Sequence, residues 1–136
     1  MTPENKALVK QSWAKITPMA DQATAMLYDR LFTQHPEVRP LFKGELEEQG
    51  PKLIRMIDKA VFALDDLEPL DRVIRMTGAR HSGYGVTEDD YAKFGEALLW
   101  TLEQGLGDDF TPETRAAWVS VYDELADLMK DGAATA

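Results

Sequence analysis

The stretch Arg80-His81-Ser82-Gly83-Tyr84-Gly85-Val86 decides how this chain is read. Upstream of it, Leu70, Val73, Ile74, Thr77 and His81 recur at i, i+3, i+4, i+7 and i+11, the period of one helix face. A histidine in line with such a stripe points inward. Gly83 and Gly85 break the helix, and Thr87 starts another. An inward imidazole at a helix end, beside a glycine corner, has two uses. It can coordinate a metal from below, or it can be a core histidine bonded to a backbone carbonyl. These residues alone leave both open.

Working outward, Thr-Pro occurs three times, at 2–3, 17–18 and 111–112. Threonine caps free N–H groups, and proline at the first helical position has no N–H to waste. The periodicity predicts a first helix to about Ile16, burying Val9, Trp13 and Ile16. A second runs from Pro18 to about His35, presenting Ala20, Leu27, Tyr28, Leu31 and Phe32. Pro36 and Pro40 enclose a short turn ending in Leu41-Phe42. Lys43 to Gln49 reads as a loop or frayed turn. A helix through Leu53, Met56, Ile57, Ala60, Val61 and Leu64 should start near Pro51, because proline inside a helix costs about 3 kcal/mol or more. Pro69 opens the helix that carries His81. Thr87 with Asp90 resembles a capping box, and its helix buries Tyr91, Phe94, Leu98 and Leu102. The last helix shows Trp118, Val121, Tyr122, Leu125, Leu128 and Met129 on one face. No segment alternates with period two. The class is all-α, six substantial helices plus short ones.

A chain of 136 residues suits one domain spanning 1–136, with a loose tail at 131–136. Without cysteine there is no disulfide, thiolate ligand or iron–sulfur cluster. The net charge of −9 is dispersed, which disfavours nucleic acid and anionic membranes as partners. Met1 to Asn5 lacks the apolar core of a signal peptide, and no apolar run approaches the ~20 residues of a membrane span. A cytoplasmic location is expected.

Several pieces then converge. They are Leu27-Tyr28-Asp29-Arg30-Leu31-Phe32, His35-Pro36-Glu37-Val38-Arg39-Pro40-Leu41-Phe42, Gln49-Gly50-Pro51-Lys52-Leu53, Arg80-His81 with Gly85-Val86, Gly95-Glu96-Ala97-Leu98-Leu99 and Ala117-Trp118. In this order and spacing the chain resembles the bacterial single-domain haemoglobins and the globin half of flavohaemoglobins, from about residue 4 to 130. The resemblance implies a globin fold around haem b. His81 matches the proximal ligand of the iron, the metal-bound residue of the family. Such a ligand needs its other ring N–H held by an acceptor, and the Thr77 carbonyl is the nearest choice. Phe42 matches the phenylalanine that stacks on haem. Leu53, Ile57, Val86 and Leu98 match apolar haem contacts, and Phe94 is a further candidate cofactor contact. Tyr28 and Gln49 match the distal pair that stabilises a bound gas. Lys52, Arg80 and Tyr84 are candidates for the haem propionates. Tyr91 matches a proximal tyrosine, but Ala133 stands where the family places its partner glutamate; Asp127 and Asp131 are the nearby acids.

His35 matches a surface position, and a zinc site from His35 and His81 has no supporting ligands. The reading is a haem globin that binds O2, NO and CO, for oxygen binding or nitric-oxide detoxification. The second needs electrons, and the chain lacks a Gly-rich dinucleotide motif, so a separate reductase is implied. The rivals are a haem-based gas sensor and a haem-free globin-like interaction module. An intense Soret band on purification separates the last from the rest.

Overall fold

The computed structural model describes residues 2–42, 46–64, 66, 68–83 and 85–134, with the side chains of 46–49, 68 and 69 left out. Helix α1 is Pro3–Ile16. A short 3-10 turn, Thr17–Met19, leads to α2, Ala20–Gln34. A second 3-10 turn, Pro36–Leu41, precedes α3, Leu46–Phe62. Then come α4, Glu68–Gly83, and α5, Glu88–Leu106. A third 3-10 turn, Gly107–Asp109, precedes α6, Pro112–Ala134. The described residues are almost all helical and contain no strand.

Two of the three Thr-Pro pairs start helices as expected. The Thr2 hydroxyl accepts from the Asn5 N–H at 3.1 Å, and the Thr111 hydroxyl accepts from the Thr114 N–H at 3.1 Å. Thr17 does not. Its N–H still donates to the Trp13 carbonyl and its backbone is helical, φ −56° and ψ −36°. It closes α1 and cannot also take the extended conformation of an N-cap. Helix α2 therefore opens at Ala20, after a tight turn.

Helix α3 corrects a second expectation, because it begins at Leu46 and runs through Pro51. Proline here forfeits one hydrogen bond to the residue four back. Two features offset that cost. The opening turn of the sequence carries Glu47 and Glu48, which suit a helix N-terminus. Gly50 is buried against α2, where an added Cβ would sit 3.2 Å from the Thr24 hydroxyl. The third correction is the tail. Helix α6 continues to Ala134, because Asp131 pairs with Arg75 and Gly132 is buried on the Arg75 backbone. Residues 135–136 lie outside the described residues.

Polar ties cross the core between elements. The Trp13 and Trp118 rings lie 6.0 Å apart. The Trp118 indole N–H donates to the Ser12 hydroxyl at 2.7 Å, which donates to the Leu8 carbonyl at 2.7 Å. From α1, the Trp13 indole N–H reaches Asp58 on α3 at 2.8 Å. Arg30 on α2 donates twice to one oxygen of Glu96 on α5, at 3.1 and 2.7 Å, and lies over the Trp100 ring. Helix α4 packs most extensively on α6.

Buried indole N–H groups are costly when left unpaired. Ser12→Ala should therefore lower stability by about 1–3 kcal/mol in urea unfolding. Adding Trp118→Phe should cost less in that background than alone. Strictly additive losses would show that the two residues do not act as a pair.

Candidate functional site

His81 lies in the last turn of α4, half-buried. Its Nδ1 is 2.7 Å from the Thr77 carbonyl oxygen. A carbonyl only accepts, so Nδ1 carries the proton and donates. In the neutral ring that places the lone pair on Nε2. The Thr77 carbonyl lies inside α4, four residues before His81, and its oxygen has a second lone pair for the ring N–H beside its helical partner. The corner beyond is closed by two further bonds: the Gly85 N–H donates to the Ser82 carbonyl and the Val86 N–H to the His81 carbonyl, both at 3.0 Å. Gly85 has φ +96°, a conformation L side chains rarely adopt. Of the expected inner stripe, Leu70, Ile74, Thr77 and His81 are half-buried. Val73 is instead 56% exposed.

On α2, Tyr28 is 5% exposed. Its ring stacks on Phe32 at 5.9 Å and meets Phe42 edge-on at 5.6 Å. Phe32 and Phe42 are edge-on at 5.3 Å. Phe42 follows the second 3-10 turn, and Arg39 fixes it there. The Arg39 guanidinium donates to the Phe42 carbonyl at 2.9 Å and lies over the Phe32 ring. An added Cβ on Gly85 would sit 3.5 Å from Leu41. The corner after His81 therefore lies near the turn that precedes Phe42.

Leu53, Ile57 and Leu98 meet at a small cavity of about 20 Å³, lined also by Leu27 next to Tyr28. Phe94 stacks on Tyr122 at 6.3 Å. The Tyr122 hydroxyl donates to the Tyr91 carbonyl at 2.7 Å. Lys130 lies over the Tyr91 ring, 5.6 Å from its centre, and Asp131 pairs with Arg75. Lys52 and Arg80 are exposed. Tyr84 lies outside the described residues. Gln49 falls inside α3 and not in a loop; its side chain is not among those described. A larger groove of about 440 Å³ lies between α2, α5 and α6, and of the candidate residues only Leu98 lines it.

The residues that brace this region were not singled out from sequence. Lys93 bridges Glu37 in the second 3-10 turn and Asp90 at the start of α5, at 3.3 Å each. Asp90 accepts from the Thr87 N–H at 2.8 Å. Burial alone pushes the Asp90 carboxyl up, but the Thr87 N–H and the Lys93 ammonium together hold it below its ordinary value. Thr87 with Asp90 was legible as a cap. Lys93 and Glu37 are far apart in sequence and gave no signal.

Among the described residues, no three His, Asp or Glu side chains gather into a metal-ligand cluster. What the chain offers is one oriented imidazole, a trio of aromatic rings and an apolar cluster. That donor set suits a flat apolar macrocycle with one axial protein nitrogen. The class the fold defines is an all-helical protein.

The sequence profile of the Globin family matches residues 25–129, and the chain belongs to that family. Globins bind haem and diatomic gases. The chain is 30% identical to the neuroglobin of Tetraodon nigroviridis and 29% to that of Danio rerio, each covering 97% of this chain and 92% of the relative. Among solved structures, it is similar to an engineered carbene transferase from Rhodothermus marinus, described as a candidate nitric oxide dioxygenase. The TM-score is 0.88 at 27% identity, over 99% of this chain and 94% of the other.

Burial pushes the Tyr28 phenol up from 10.0 to about 12. Burial likewise raises Tyr122, with Tyr91 and Asp123 adding to the shift. Below pH 10 folded and unfolded chains both keep these protons, so nothing is gained or lost. Above it the unfolded chain releases them first, and stability falls as pH rises toward 12. The urea midpoint should drop across that window, less steeply in Tyr28→Phe. An unchanged slope in the variant would mean that Tyr28 ionises freely in the folded chain.

Proposed function

We propose that this chain is a haem b globin of the cytoplasm that reversibly binds O2, and also NO and CO. The observation that carries the reading is the His81 Nδ1–H bond to the Thr77 carbonyl. It directs Nε2 as a ligand nitrogen, and acceptor support of this kind fixes the tautomer of a metal-bound histidine. Haem, when bound, supplies an iron with one axial position for a protein nitrogen and one for a diatomic gas.

In this reading His81 holds the iron from the proximal side. Phe42 stacks on the macrocycle, and Leu53, Ile57, Val86, Phe94 and Leu98 form apolar walls. The exposed Lys52 and Arg80 serve the propionates. Tyr91 packs on the proximal side with Lys130 over its ring, in place of the glutamate partner that the resemblance would supply. Tyr28 is the gas-stabilising donor: its hydroxyl has no hydrogen-bond partner among the described residues. Gln49 is a second donor on the same side.

The role we favour is nitric-oxide detoxification, in line with the description of the Rhodothermus marinus structure. One NO, one O2 and one electron give one nitrate, and a separate reductase supplies the electron. A tightly held O2 favours this role over oxygen delivery.

The purified protein should show a haem Soret band. His81→Ala should lose haem or give a site rescued by imidazole, while His35→Ala should be spectrally silent. A hydrogen bond to a group carrying charge is worth on the order of 1.5–3 kcal/mol, so Tyr28→Phe should speed O2 release by roughly ten- to a hundredfold. CO gains less negative charge on binding, and its release should change far less. Stopped-flow release and nitrate yield on adding NO are the measurements. Equal O2 release from both proteins would remove Tyr28 from the site, and no nitrate would remove the detoxification role.

A further inference from the structure

The closest backbone approach of α4 lies where it crosses α6. Gly78 sits on α6 so closely that an added Cβ would overlap the Met129 carbonyl. Gly132 of α6 sits in the same way on the Arg75 carbonyl of α4. The two seats are reciprocal: Arg75 is three residues before Gly78, and Gly132 is three after Met129. Helices α4 and α6 thus cross antiparallel, backbone on backbone, through one bare Cα from each. Arg75 guards the crossing against sliding, since its guanidinium pairs with Asp71 at 2.9 Å and with Asp131 on α6.

We infer that Gly78 and Gly132 are positioning residues for His81, setting the depth at which its imidazole is offered to the cofactor. This rests on the haem reading proposed above. Gly78 adjoins Thr77, whose carbonyl holds the ring, and precedes His81 by three residues, one helical turn. A lifted α4 therefore carries the acceptor and the imidazole together. The ring keeps its orientation while its distance to the cofactor changes. The other close glycines do not constrain α4 in this way. Gly95 and Gly105 meet side-chain atoms of Tyr122 and of Ile16 with Met19, and side-chain ends can turn aside. A carbonyl inside a helix cannot.

The test uses the haem-loaded protein and resonance Raman spectroscopy of its ferrous form. Gly78→Ala and, independently, Gly132→Ala should shift the iron–histidine stretching band. O2 release or haem loss should change by about tenfold, the lower end for disturbing an outer support of a metal ligand. Gly83→Ala is the control on the same helix, since an added Cβ there meets nothing within 4 Å; it should leave the band in place. In a His81→Gly background with added imidazole the ligand is no longer tethered to α4, and the two alanine substitutions should then move nothing. If Gly78→Ala does not fold, Gly132→Ala carries the test alone.

An unshifted band in the alanine variants overturns the inference while the haem reading stands. A shift that persists with free imidazole also overturns it, because the effect then bypasses His81. A wild-type protein that takes up no haem overturns the parent reading and this one with it.

Discussion

One hydrogen bond orders the site. His81 is placed one turn beyond Thr77 in α4, and its Nδ1–H donates to the Thr77 carbonyl at 2.7 Å. That oxygen has a second lone pair beside its helical partner, and the imidazole gains a fixed tautomer and direction. Removing the acceptor is not possible by side-chain mutation, which makes the arrangement robust to sequence change at Thr77.

The rest of the fold holds the two ends of this helix corner. Gly85 turns the chain with φ +96° near Leu41. Lys93 ties the next helix to Glu37 in the turn that precedes Phe42. Arg39 pins the Phe42 backbone. The aromatic trio Tyr28, Phe32 and Phe42 is thus braced from both directions, by packing on α2 and by ion pairs from α5. These surface pairs are individually weak. Their effect is to hold a geometry and not to supply much stability.

Local signals made most of the frame legible. Capping threonines, prolines at helix starts and the 3.6-residue stripes marked six helices, and the His81 stripe also named Thr77 as its acceptor. What failed was competition between elements. Thr17 has the residues of an N-cap, yet α1 reaches it first. Pro51 has the residues of a helix start, yet α3 extends through it, with Gly50 seated on Thr24. Val73 shares the apolar composition of its stripe, yet it stays exposed. Pairings such as Ser12 with Trp118, Lys93 with Glu37 and Gly78 with Met129 join residues far apart in the chain. No local pattern encodes them, because each depends on where two helices cross.

The central claim is that His81 presents Nε2 while Nδ1–H stays on the Thr77 carbonyl. The direct measurement is NMR of ¹⁵N-histidine-labelled protein, loaded with ferrous haem and CO. The account predicts one histidine with a metal-bound Nε2 and a slowly exchanging Nδ1–H close to Thr77, and His35 with no metal-bound nitrogen. Binding through Nδ1, or two histidines both free, would contradict it.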